Sequence, residues 1–574
     1  MHIPMEDHTE TIVLDIIAAQ PTTKAAFDDV RRKSSGRLKI NQPANRELIK
    51  AYQTLLEKKR ITPQPQLQKL FRKAGIRSNS GIAVITSLVK PYPCPGKCVY
   101  CPTEVRMPKS YIASEPAAMR SLKLNFNPYR LMQKRIEMLE ANGHATDKIE
   151  YITKGGTWNA YTLKYQYWYM LESFKACNNL SREKDVPYTN EDYWNDRPLE
   201  DLITEITKEQ TYNETADHRI IGVTLETRPD AITPKTIHHM RRQGCTRVEL
   251  GLQAPDDRIL TLIQRGHTVD QFRRAMYLLR QAGFKVDLHF MPDLPGTTPE
   301  HDIEMYKKVF SDGSLRPDMI KIYPNTVIKS AELYEWFKDG RYVPYGEEGL
   351  FHALTEMKLA TPRYCRISRL IRDIPETEIE GGNNITNLRE ELQKKLAENG
   401  KHCVCLRCRE IFRQRDAIDA SIQPILFVDE YETAGGKEYF ITFEDPKRIA
   451  VYGFLRLRIP DMMNDMDFPL VGEAGLSIED MIKTNTELYR LMPEIQNAAF
   501  VRELHVYGQL VKIGKKNELE TQHKGFGKRL MQAAEDIVKE HGMKKVAVIS
   551  GVGVRGYYEK IGYKKQGTYM VKTL

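Results

Sequence analysis

"IAVITSLVKPYPCPGKCVYCP", residues 82–102, joins a β-branched run to a loop that holds three of the chain's nine cysteines. The run reads as a short buried strand. Cys94, Cys98 and Cys101 follow with C-x3-C-x2-C spacing, and Gly96 lets the loop turn tightly. A structural zinc ion usually takes four N or S ligands and closes its tetrahedron. Three thiolates on one loop suit a [4Fe–4S] cluster held at three irons, with the fourth iron open. An open iron can bind S-adenosylmethionine and pass it one electron, which yields a deoxyadenosyl radical for the protein to position and shield. The competing reading of these residues is a zinc site completed by a remote ligand.

Downstream, strand candidates recur: "KIEYITKGG", "RIIGVTLETRP", "TRVELGLQ", "FKVDLHFMPDLPG" and "DMIKIYPNT". Helical segments separate them, several ending at glycine. Such alternation predicts a parallel α/β sheet, a full or partial barrel, with its chemistry at the C-terminal strand ends. Four motifs fall at those ends: "KGGT" (154–157), "ETRPD" (226–230), "ELGLQ" (249–253) and "HFMPDLPG" (289–296). Gly155, Gly156 and Thr157 allow close backbone approach to the methionine part of a ligand; Glu226, Gln253 and His289 stand at neighbouring ends. With the cysteine loop, this order resembles the radical-SAM superfamily. An aromatic insertion, "WNAYTLKYQYWYMLESFKACNN", either packs a core or stacks bases; core packing is the favoured reading.

The chain has 574 residues and 66.4 kDa, which predicts two to four domains. No apolar run approaches membrane-spanning length, and the start "MHIPMEDHTETIVLDIIAAQ" lacks a secretory pattern, so a cytoplasmic protein is expected. In that reducing compartment, clustered cysteines favour metal binding or catalysis, while Cys177 and Cys245 read as buried structural thiols. The net charge of +10 is uneven: residues 31–77 carry fourteen Lys and Arg against Glu47 and Glu57. Composition alone fits a solvated helical surface; a polyanion partner is the alternative.

From about residue 420 new strands appear, and "QHKGFGKRLM" (522–531) fits a glycine-framed loop opening a helix. N–H groups there can bind a pyrophosphate. Followed by "KVAVISG" and "YYEKIGY", the order resembles GNAT-type acyltransferases. That resemblance implies acetyl-CoA bound by Gln522, His523, Lys524, Gly525, Phe526, Gly527 and Lys528. Tyr557 or Tyr558 would then serve as a general acid near the thioester, the competing reading being simple packing.

The pairing closely resembles the family of the Elongator catalytic subunit in its single-polypeptide bacterial or archaeal form. It covers nearly the whole chain. It implies a basic helical segment over 1–80, a radical-SAM core over 81–360, an Arg/Cys-rich linker with a zinc loop over 361–417 and an acetyltransferase domain over 418–574. The implied activity places a carboxymethyl group, drawn from acetyl-CoA, on carbon 5 of the tRNA wobble uridine, with tRNA-stimulated hydrolysis of acetyl-CoA. Arg31, Arg32, Lys33, Lys58, Lys59, Arg60, Arg72 and Lys73 become expected RNA contacts. Arg366 and Arg369, in "RYCRISRLIRD", join them, with an interdomain salt-bridge seam as the equal alternative. Cys403, Cys405 and Cys408 in "KHCVCLRC" would hold zinc, with His402 or Cys365 as candidate fourth ligand. Lys154 and Lys321 are expected to face the pocket, toward acetyl-CoA or RNA. No obligate accessory subunit is expected. The rival function is a protein lysine acetyltransferase with a structural iron–sulfur domain.

Overall fold

The computed structural model describes residues 5–71, 81–414, 417–418, 423–461, 477–507 and 525–574. Six strands form where β-branched runs lead toward the strand-end motifs: β1 (Ala83–Leu88), β2 (Lys148–Lys154), β3 (Arg219–Thr227), β4 (Cys245–Gln253), β5 (Lys285–Phe290) and β6 (Met319–Ile322). A short β7 (Thr326–Val327) pairs with β9 (Gly381–Gly382), and between them in sequence lies β8 (Arg366–Arg369). The sheet order is β1-β2-β3-β4-β5-β6-β8, with every neighbouring pair parallel. This is the expected partial barrel.

The stretch read as a linker thus contributes the seventh strand. Its sequence, RISR, hides this because the residues facing the sheet's concave side are polar, so no apolar alternation marks it. In the aromatic insertion, helix Leu163–Asn179 buries every side chain from Tyr165 to Asn179. Its rings pack on one another, with Tyr161 and Tyr165 stacked at 4.9 Å. The insertion is core.

A second sheet holds β10 (Ile425–Thr433), β11 (Gly436–Glu444), β12 (Val451–Pro460), β13 (Ala499–Val506), β14 (Lys545–Val548), β15 (Lys564–Gln566) and β16 (Tyr569–Thr573), ordered β10-β11-β12-β13-β14-β16-β15. Only β13 and β14 run parallel, and their register stops at Val501↔Val548. Beyond that point β13 stays with β12 alone, which leaves a wedge between the two strands.

The N-terminal helices Met5–Ala19, Lys24–Arg37, Asn45–Glu57 and Pro65–Phe71 enclose their own core around Ile12, Ile16, Phe27, Leu48 and Leu55. Their basic surface is less free than counting over 31–77 suggests. Arg31 pairs with Asp28, Arg32 and Lys33 with Asp29, and Lys58 and Arg60 with Glu10. Those acids precede the counted window.

The two sheets are joined by buried charge. Asp318, next to β6, accepts from Arg502 of β13 at 2.8 Å. Glu438 of β11 accepts from Arg502 at 2.9 Å, from Arg458 at 3.1 Å and from Arg280 of the first domain at 2.7 Å. None of these five groups is more than 1% exposed. At the rim, Gly551 touches the backbone of Ile221 so closely that a Cβ would stand 1.9 Å from its carbonyl oxygen. Asp318→Ala strips the counter-charge from this lock, and the expected loss is about 3–5 kcal/mol, read as a lower thermal midpoint with the two domains separating under limited proteolysis.

Candidate active site

One cavity of about 1540 Å³ runs from the cysteine loop through the half-barrel lumen to the wedge of the second sheet. Barrel lumens are normally filled by bulky branched side chains. Here alternate residues of the strands bring polar groups inward. Near the C-terminal strand ends stand Lys154, Glu226, Glu249, His289 and Lys321; nearer the second sheet stand Glu150, Arg247, Lys285 and Arg366. β14 and the short helix Arg555–Glu559 close the far side, from which Val548 and Tyr558 reach the cavity.

The cysteine loop lies across the upper end. Cys94 Sγ is 3.7 Å from Thr157 Oγ1 and accepts from the Gly96 N–H at 3.4 Å. Cys98 Sγ accepts from Arg265 at 3.5 Å. Its thiol is held well below the usual range, chiefly by the hydrogen bond with Cys101 and also by Arg265. Gly155 and Gly156 have φ of +147° and +84°, and a Cβ on Gly155 would stand 2.1 Å from Val89, so only glycine fits there. The Gly155 N–H donates to Glu226 at 3.3 Å.

Glu226 also accepts from Tyr111 Oη at 2.8 Å. Burial pushes its carboxyl up, but Lys154, His289 and Lys321 outweigh that and hold it at about 2. His289 Nε2 lies 3.2 Å from Glu249, and burial followed by Lys321 and Lys154 holds the imidazole well below its usual value. Lys154 and Lys321 both pair with Glu249. These lysines are therefore engaged rather than free for a ligand. Gln253 has φ of +73°, and its buried Oε1 has no hydrogen-bond partner. A left-handed non-glycine residue with an orphaned acceptor on a cavity wall leaves that acceptor free for a ligand.

The thiols of Cys403, Cys405 and Cys408 lie within 4.8 Å of one another, and among the described residues neither His402 nor Cys365 joins them at that distance. The Cys94, Cys98 and Cys101 thiols are not gathered so tightly. A cluster spreads its thiolates over separate irons, as the Cys94–Cys101 loop does, whereas one ion draws them together, and the second trio gathers three of the four ligands a structural zinc takes.

At the second sheet, Gly525 has φ of +103° and opens helix Phe526–Glu540. Gln522, His523 and Lys524 lie outside the described residues, as do Arg72 and Lys73. The Phe526 ring is buried and stacked on Phe443 at 4.4 Å, so its side chain is taken up by the core and its backbone is what remains for the expected cofactor contact. Lys528 is exposed. Tyr558 is buried and reaches the cavity, whereas Tyr557 is 36% exposed and lies over the first helical turn, its hydroxyl 2.7 Å from a Cβ built on Gly527. Burial raises both phenols, Tyr558 the more strongly.

Arg366 is committed to Glu410 at 2.8 Å and Arg372 to Glu115 at 2.7 Å, partners in the linker and the first domain rather than across to the second sheet. Arg369 pairs with Asp373 but keeps half its side chain exposed. Sequence reading passed over Glu503, His505 and Tyr507 of the wedge, and Arg228 and Arg265 beside the cysteines. Arg228 sits inside "ETRPD", so a charged residue at a strand end was the available signal.

Three comparisons agree with this geometry. The Radical SAM superfamily model matches residues 92–309, the Radical_SAM C-terminal domain residues 317–398 and the acetyltransferase (GNAT) domain residues 518–573. The chain is 39% identical to the tRNA uridine(34) acetyltransferase of Methanocaldococcus jannaschii over 94% of its own length and 92% of that protein. It is 36% identical to Elongator complex protein 3 of Bos taurus, covering 89% of this chain and 88% of the relative. The solved archaeal Methanocaldococcus infernus Elp3 lacking residues 1–46 superposes with a TM-score of 0.67 at 35% identity, over 86% of this chain and all of that one. The chain is an acyltransferase-class enzyme with a radical-SAM half-barrel.

Glu503 spans the cavity floor, 3.3 Å from Lys285 and 2.9 Å from Arg456. Burial pushes its carboxyl up, but the two cations win and hold it at about 2. Its folded value is depressed, so its contribution is complete above the unfolded value of about 4.3 and disappears as pH falls toward 2. Chemical unfolding between those limits is expected to show a stability slope that Glu503→Gln flattens.

Proposed function

The chain belongs to the family of the tRNA uridine(34) acetyltransferases and Elongator complex protein 3, and from that membership we propose that it modifies the wobble uridine of tRNA, placing on carbon 5 a carboxymethyl group drawn from acetyl-CoA. The observation that carries this reading is the single cavity shared by the cysteine loop and the acyltransferase wedge. A lysine acetyltransferase with a merely structural first domain has no use for a polar lumen opening onto its thioester site.

Cys94, Cys98 and Cys101 would hold a [4Fe–4S] cluster, and Gly155, Gly156, Thr157, Glu226, Gln253 and His289 would receive S-adenosylmethionine. Bound there, the pair would supply radical chemistry able to take a hydrogen atom from the acetyl methyl group. The remaining work falls to side chains. The glycine backbone leaves room for the methionine carboxylate and amine. The N–H groups of Gly527 and Lys528, opening their helix, face a pyrophosphate. Tyr558, kept protonated by burial, donates to the thioester or its departing thiol. Tyr557 covers the helix start. Cys403, Cys405 and Cys408 would hold zinc and brace the loop that follows β8. Arg31, Arg32, Lys33, Lys58, Lys59, Arg60 and Arg369 offer charge to the RNA backbone, the first six sharing it with Asp28, Asp29 and Glu10 where paired.

Serine at Cys94, Cys98 or Cys101 is expected to abolish the carboxymethyl mark in nucleoside mass spectrometry of incubated tRNA. Persistence of the mark in the triple variant sinks the reading. Tyr558→Phe is expected to cut tRNA-stimulated acetyl-CoA hydrolysis by about 100-fold, and Tyr557→Phe by much less; hydrolysis indifferent to tRNA would favour the lysine acetyltransferase instead.

A further inference from the structure

Two buried arginines flank the cysteine loop from separate motifs. Arg228 and Arg265 are 3% and 7% exposed. Arg265 donates to Cys98 Sγ at 3.5 Å and to the Gly251 carbonyl at 2.9 Å, while its Nε has no acceptor. Arg228 is fixed by Asp230 at 2.9 Å and 3.2 Å and by the Gly266 carbonyl at 3.1 Å. Its Nη1 is buried without a partner and lies 2.2 Å from where a Cβ on Gly96 would stand. Gly96 lies between Cys94 and Cys98, so this free donor is aimed into the loop itself.

A buried guanidinium with an unmade hydrogen bond is costly unless an anion completes it. Arg265 has only a thiol and a carbonyl for acceptors, so its charge is uncompensated by any carboxylate it bonds. We propose that Arg228 and Arg265 form a cationic clamp that neutralises the iron–sulfur cluster on the Cys94–Cys101 loop and raises its reduction potential. The proposal rests on the cluster reading given above. Reduction adds one negative charge, and two fixed cations beside the sulfurs stabilise the reduced form more than the oxidised one. Asp230 orients Arg228 and partly offsets it, which makes Arg265 the stronger of the two.

The test uses the full chain, reconstituted anaerobically with iron and sulfide, and follows the cluster by EPR during titration with dithionite as the one-electron donor. Wild type without iron–sulfur absorbance would refute the cluster reading itself. With the cluster present, Arg265→Gln is expected to weaken electron affinity at least tenfold, a midpoint about 59 mV more negative, and Arg228→Gln to shift it in the same direction by less. Arg265→Lys, which keeps the charge, is expected to retain iron and fall between wild type and the glutamine variant. A glutamine variant with full iron content and the wild-type midpoint overturns the proposal. Should glutamine prevent loading, the lysine variant decides: iron retained supports the clamp, and iron lost overturns it.

Discussion

The molecule depends on a charge cluster sealed from the surface. Asp318 and Glu438 are shared among Arg280, Arg458 and Arg502, drawn from both domains and almost wholly buried. Such pairs add little net stability compared with apolar packing, because desolvation offsets most of the Coulomb gain. Their value is directional. Each guanidinium has a fixed fork, so a shifted or rotated second domain would leave several buried charges unpaired at once. Two domains that met only through apolar surface could slide.

That rigidity is what makes one cavity out of two. The second sheet docks beneath the half-barrel, toward the strand N-termini where Ile221 meets Gly551. The cysteine loop lies at the opposite, C-terminal ends. The lumen joins them, and it is lined with salt bridges rather than branched aliphatics alone. A polar lumen weakens the barrel's core, and the aromatic helix Leu163–Asn179 offsets this by packing the outer face with Tyr, Trp and Phe.

The same constraint sorts the charged residues by role. Basic groups on the N-terminal helices are solvated and shared with nearby acids, so they suit reversible contact with a polyanion. Arg366 and Arg372 look alike in sequence but are spent on Glu410 and Glu115. Arg228 and Arg265 are different again: buried, close to sulfur, and short of acceptors. Burial and partner, rather than residue type, separate the three groups.

Much of this was legible in the chain. The cysteine spacing, the glycines of "KGGT" and the alternation of strand and helix each reflect local demands: ligand spacing, positive φ, and periodicity. They predict a partial barrel, its chemical face and an acyltransferase unit after it. Other features are relations between distant residues, which no local pattern encodes. RISR shows no strand periodicity because the lumen it faces is polar. Phe526 reads as part of a ligand loop until Phe443, some eighty positions earlier, stacks on it. Tyr557 and Tyr558 are equivalent in sequence, and only the packing of their short helix sends one inward and the other over Gly527. The counter-charges for Arg502 come from distant elements and Arg265 meets Cys98 of another loop, so what they do was settled by the tertiary fold, which alone decides which charges are buried and beside what.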